Sequence, residues 1–102
     1  MENFNVTPEQ SQKALRYFAS DCLEISKDAT STYGQVDVKV RFDCYFATLR
    51  VPRLSYAQFL TLFGDLCEAY GSENVDFTEN ALGELNFNIV ATFSDLQAAG
   101  EL

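Results

Sequence analysis

Apolar residues recur at Leu15, Phe18, Ala19, Cys22, Leu23 and Ile25, the three- and four-residue spacing of one helix face. Just upstream, Thr7-Pro8-Glu9-Gln10 reads as a helix start: Thr as N-cap, Pro at the first helical position, and Gln three residues on to complete a capping box. Lys27 suits the negative end of the helix dipole, so the first helix is expected over 8–26. Thr30 to Tyr33 then reads as a short edge strand, with Gly34-Gln35 as a tight turn.

The period next changes to two. Val36, Val38, Val40 and Phe42 alternate with Asp37, Lys39, Arg41 and Asp43, the pattern of a strand with one wet face. The parity then slips, because the later apolar set falls on Tyr45, Ala47, Leu49 and Val51. A one-residue slip turns every side chain to the other face unless a turn or a bulge absorbs it. Two strands, 36–43 and 45–51, or one long bulged strand are both consistent with this, and Pro52 ends the ladder by lacking a donor.

Ser55-Tyr56-Ala57-Gln58 is a second capping box and Gly71 a natural helix terminator, which places helix two over 56–70. Its wide apolar face is Tyr56, Phe59, Leu60, Phe63, Leu66, Cys67 and Tyr70, with Gln58, Thr61, Asp65 and Glu68 opposite. Leu62 falls off that stripe and is expected to be exposed. So wide a face suggests contact with a second copy as well as with a sheet, through Tyr56, Phe59, Leu62 and Phe63. The chain closes with a hairpin, 74–78 and 84–93, joined by a turn at 79–83; Leu85, Phe87, Ile89, Ala91 and Phe93 form its apolar face. Ser94 caps a last turn over 96–102 that is expected to fray. The fold class is α+β: two helices packed on an antiparallel sheet of four to five strands, in one domain spanning 1–102 with an ordered core of about 7–94.

Charge changes this picture most. After Arg53 the chain has no Lys, Arg or His but eight carboxylates: Asp65, Glu68, Glu73, Asp76, Glu79, Glu84, Asp95 and Glu101. The first 53 residues hold seven acids and all seven bases, so the formal charge of −8 resides entirely in the second half. Like charges crowded together weaken a compact state, and tolerating them points to use in steering toward a positive partner. Acidity counts against direct binding of nucleic acid or anionic membranes. Met1 to Asn5 shows neither a basic region nor an apolar run, so no signal peptide is expected and a cytoplasmic location is. Asn5-Val6-Thr7 matches a glycosylation acceptor, but Thr7 reads better as the helix cap.

Catalytic chemistry finds little footing. Without His there is no Ser-His or Cys-His pair, and the five Gly are too dispersed for a phosphate loop. Asp76 to Phe87 imitates a calcium loop but has Ala81 and Phe87 where Gly and Glu are required. Cys22, Cys44 and Cys67 form no CxxC and read as buried reduced thiols. No enzyme activity, cofactor or metal is expected. Asp65, Glu68, Glu73, Asp76, Glu79 and Glu84 come from elements adjacent in sequence, which are usually neighbours in space. Together they are the expected binding surface for a protein partner with a basic face.

Two functions fit such a surface. Duplex DNA carries a negative charge every ~1.7 Å of axis, and carboxylates at that spacing would occupy a phosphate-binding groove, making an inhibitor. In size and composition the chain resembles small acidic phage proteins that block restriction or CRISPR machinery. Alternatively, helix, three strands, helix and two strands, with Gly83-Glu84-Leu85 leading into the last strand within Phe77 to Phe87, resembles the type III secretion chaperone-like fold and its sensory-transduction-regulator relatives over about 8–93. That resemblance implies a dimerising chaperone or adaptor that masks a polypeptide. The chain departs from it in lacking a substantial C-terminal helix.

Overall fold

A computed structural model describes residues 6–102. Its elements run α1 (Pro8–Thr30), β1 (Gln35–Arg41), β2 (Cys44–Val51), α2 (Tyr56–Tyr70), a 3₁₀ turn (Ser72–Asn74), β3 (Val75–Glu79), β4 (Leu85–Thr92) and α3 (Phe93–Gly100). The architecture is α+β, with an antiparallel sheet of order β1-β2-β4-β3. Asn5 of the acceptor motif and the rest of Met1–Asn5 lie outside the described residues.

Both expected capping boxes form. Thr7 accepts from the Gln10 N–H at 3.1 Å while Gln10 accepts from the Thr7 N–H at 2.9 Å. Ser55 and Gln58 repeat the exchange at 3.1 and 3.0 Å. Helix α1 runs one turn further than its apolar stripe, which removes the edge strand expected at 30–33. The extra turn is held by hydroxyls: Thr30 Oγ1 donates to the Ser26 carbonyl at 2.8 Å and Ser26 Oγ to the Thr32 carbonyl at 2.7 Å. Both residues are buried with their polar atoms satisfied, and Ser31, at φ 66°, terminates the helix in the left-handed region.

The parity slip is resolved by a turn. Arg41 pairs with Cys44 across the two-residue loop Phe42-Asp43, so 35–51 forms two strands rather than one bulged strand. Phe42 leaves the strand and takes φ 60°. With the slip absorbed there, Val36, Val38 and Val40 share a face with Tyr45, Ala47, Leu49 and Val51.

Burial alternates strictly along β4, and one sheet face carries the core. Phe18, Cys22, Leu62 and Leu66 from the helices meet Leu49, Phe87 and Ile89 from the sheet, all at most 1% exposed. Helix α1 packs on β1 and β2, α2 on β3 and β4, and α3 on β4, with α1 also touching both other helices. The opposite sheet face bears Asp37, Lys39, Arg41 and Arg50 beside Phe46, Thr48, Asn88 and Asp76. A polar rung crosses it, with Thr48 Oγ1 donating to Asn88 at 3.3 Å and Asn88 Nδ2 donating to Asp76 at 3.0 Å.

The C-terminal segment is a third helix, not a frayed turn capped by Ser94. Thr92 is its cap, accepting from the Asp95 N–H at 3.1 Å, and Leu96 anchors it in the core at 0% exposure.

Candidate functional site

Helix α2 and strand β3 build the edge where the base-free half of the chain meets solvent. The buried spine of α2 is Leu62 and Leu66, flanked by half-buried Phe59, Phe63, Cys67 and Tyr70. Leu62 is 0% exposed, which corrects its expected place on the surface and removes it from any contact with a second copy. The physical reason is periodicity: 59, 62, 63, 66, 67 and 70 is the unbroken i, i+3, i+4, i+7 series. Tyr56 and Leu60 lie at its margin and stay 77% and 49% exposed.

Phe59 and Phe63 close a four-ring cluster with Phe77 of β3 and Phe87 of β4. Phe77 stands edge-on to both helix rings, with centroids 4.8 Å from Phe59 and 5.4 Å from Phe63. Phe87 lies 6.0 Å from Phe59 and is fully buried, whereas Phe77 is 43% exposed. The edge-to-face pairs fix the angle of α2 on the sheet, and part of the Phe77 ring remains available to solvent. The sequence concealed this, since nothing in 74–78 shows that β3 is an outermost strand.

The six candidate carboxylates do not all share one surface. Asp65 is half-buried and Glu68 exposed on the second half of α2, and exposed Glu73 follows in the 3₁₀ turn. Glu68 and Glu73 flank the C-terminal end of a helix whose last turn has no base, and Asp65 lies about one turn further back. That end already carries the negative pole of the dipole, so the acids reinforce it instead of neutralising it. Asp76 lies on the opposite sheet face, opposite Asn88 in register. Glu79 ends β3, and Glu84 sits in the following turn, where it accepts from Asn80 Nδ2 at 2.8 Å.

One base returns to that turn. Arg53 donates to the Leu82 carbonyl at 3.4 Å and lies so close over Gly83 that a Cβ there would stand 2.7 Å from its Nε. The hairpin end of the acidic half is thereby partly compensated, while Asp65, Glu68 and Glu73 have no ion-pair partner among the described residues. Sequence distance hid the visit of Arg53, 29 positions upstream of Leu82.

Among the described residues, no three His, Cys, Asp or Glu side chains gather as a metal site requires. All three cysteines are free, but only Cys22 is fully buried; Cys44, on the open sheet face, and Cys67 are half-buried, which corrects the expectation for those two. Burial, then the neighbouring Asp21 carboxylate, pushes the Cys22 thiol up to about 12, with the Tyr70 hydroxyl acting weakly against them. Such a thiol is protonated and unreactive at neutral pH. No described helix is long and apolar enough to cross a membrane.

No family model matches the chain, and no curated protein or solved structure shows significant similarity to it.

Proposed function

We propose that this protein is a non-enzymatic binding protein whose acidic half captures a basic surface of another protein. The observation that carries the reading is that Asp65, Glu68 and Glu73, on the second half of α2 and just beyond its negative end, have no ion-pair partner among the described residues. Such a concentration costs stability through self-repulsion and an opposed helix dipole, a cost that steering and complementarity toward a cationic partner would explain. In the first form of this function the partner is a nucleic-acid-binding protein, and the carboxylates inhibit it by occupying its phosphate sites.

A second form is favoured by the exposed apolar residues of the same half of the chain. Tyr56, Leu60, Phe77 and Leu82 are 43–77% exposed around the α2–β3 edge. Phosphate mimicry has no use for them, whereas a chaperone-like adaptor that masks a basic amphipathic polypeptide does.

The test is affinity capture from lysate of the producing cell at low and high salt, read by mass spectrometry, beside a Phe77→Ser variant. A partner lost at high salt and retained by Phe77→Ser supports the inhibitor form; one lost on both treatments supports the adaptor. A partner retained at high salt refutes the electrostatic reading, because exposed charge pairs are screened over about 8 Å at physiological ionic strength.

A further inference from the structure

The two outer strands of the sheet differ in how they are protected. Strand β3 has only five residues and carries Asp76 and Glu79, with no base. Two copies meeting there would repel, and short charged edges are a common defence against strand addition. Strand β1 is seven residues long, Gln35-Val-Asp-Val-Lys-Val-Arg41, with no Pro, Gly or bulge. Its valines are also unfinished as a core: Val36 and Val38 are half-buried and Val40 is 40% exposed.

The backbone at this edge is set for pairing. The two-residue turn makes Arg41 and Cys44 the closing hydrogen-bonded pair of the β1–β2 hairpin. Hydrogen bonding alternates along an antiparallel ladder, so Gln35, Asp37, Lys39 and Arg41 bond to β2. The N–H and C=O groups of Val36, Val38 and Val40 are therefore directed outward, where no described strand takes them.

We propose that a second copy of the chain takes them: two β1 strands pair antiparallel about a two-fold axis at Val38, joining both sheets into one. In this register Val38 faces the second copy's Val38 and exchanges both of its backbone bonds with it. Val36 faces Val40, Gln35 faces Arg41, and Asp37 faces Lys39 on each side of the axis. All seven residues are paired, the valines form one continuous apolar row on the helix side, and two opposite-charge pairs form on the open face. An isologous two-fold contact is the commonest way for a chain to self-associate.

Charge and length select this register over its neighbours: an axis at Val36 would bring no like charges together but would pair only Gln35, Val36 and Asp37 of each β1. An axis at Asp37 would set Asp37 against Asp37, and an axis at Lys39 would set Lys39 against Lys39. An axis at Val40 would set Lys39 against Arg41. Like charges directly opposite destabilise a strand pair, and opposite charges support it. Asp37 holds an exposed contact of 3.5 Å with Arg50, a geometry loose enough to share the carboxylate. The Val38 register also brings Phe42, 91% exposed, alongside Gly34 and Tyr33 of the second copy, Tyr33 being 51% exposed.

The test uses the full chain and two exposed substitutions that leave the core untouched. Wild type is expected to sediment as a dimer at micromolar concentration. Lys39→Glu sets acid against acid and Asp37→Lys sets base against base, so each should weaken dimerisation by about tenfold or more. Mixed in equal amounts, the two variants regain complementary pairs and should form a heterodimer, and the double swap Asp37→Lys/Lys39→Asp should dimerise by itself. Amide exchange at Val36, Val38 and Val40 should slow on dimerisation and be fast in each single variant. A monomeric wild type at high micromolar concentration overturns the proposal. So does a wild-type dimer that both single variants retain, which would place the contact away from β1.

Discussion

Tyr70 on α2 donates a hydrogen bond of 2.6 Å to the Asp21 carboxylate on α1, joining residues 49 positions apart in the chain. The Tyr70 ring also packs 5.3 Å from that of Phe18, so one side chain supplies both the polar and the aromatic tie between the two long helices. Tyr70→Phe keeps the ring and removes the bond. A hydrogen bond to a charged group contributes about 1.5–3 kcal/mol, and the partial exposure of Asp21 puts this one toward the lower end. Thermal denaturation should show a fall in Tm of several degrees, at roughly 4–8 °C per kcal/mol for a domain of this size.

The same contact makes the fold sensitive to alkali. Burial, the neighbouring Cys22 and the bond to Asp21 all raise the Tyr70 hydroxyl above its ordinary 10, and Cys22 is raised from 9 to about 12. Groups with a raised folded-state pKa hold their protons longer in the native state. Their stabilisation is complete below the unfolded values and is lost as pH rises past them. Urea denaturation should therefore give constant contributions from these groups up to about pH 8.5 and a falling stability from about pH 9 to 12. Cys22→Ala, although weaker at neutral pH, should show a shallower fall over that range.

Phe42 pairs a strained backbone with an unused side chain. It takes φ 60° in a two-residue turn at a place that favours glycine, and it is 91% exposed. A left-handed conformation costs an L-residue about 1–2 kcal/mol. Phe42→Gly should stabilise the monomer by about 1 kcal/mol, whereas Phe42→Ala should not. Both are best measured at low concentration in the Lys39→Glu background, where self-association is weakened.

The two faces of α2 give a further contrast. Leu62→Ala should cost about 2.7–5 kcal/mol because it empties a filled core position. Tyr56→Ala, at an exposed site, should change stability by no more than about 0.5 kcal/mol. Chemical denaturation of the two variants side by side checks the orientation of the helix.

Where local chemistry decides an element, the sequence was readable. Thr7 with Gln10 and Ser55 with Gln58 announced two helix starts, and the period-two runs announced the strands around them. The third capping box was hidden because Thr92 ends β4 as well as capping α3, so the alternation appeared to run on to Phe93. The last turn of α1 was hidden because Ser26 and Thr30 hold it through hydroxyls and give no apolar signal. Leu62 was misplaced because Tyr56 and Leu60 drew the apparent apolar axis away from the spine. The acidic half was legible as charge but not as shape. Adjacency in sequence said nothing of which sheet face Asp76 occupies, or that Arg53 crosses back over Gly83.

The central claim is that Asp65, Glu68 and Glu73 form a capture surface and do not merely keep the protein dispersed. The direct measurement is the binding kinetics of the captured partner with two triple variants. One reverses Asp65, Glu68 and Glu73 to Lys; the other reverses Glu9, Glu24 and Asp28, exposed acids of the charge-balanced half. Circular dichroism establishes first that both are folded. The acidic-half variant should lose binding, chiefly through a slower association rate, while the α1 variant binds nearly as wild type does. Equal, small effects from both variants would contradict the claim and leave the acids with no role beyond solubility.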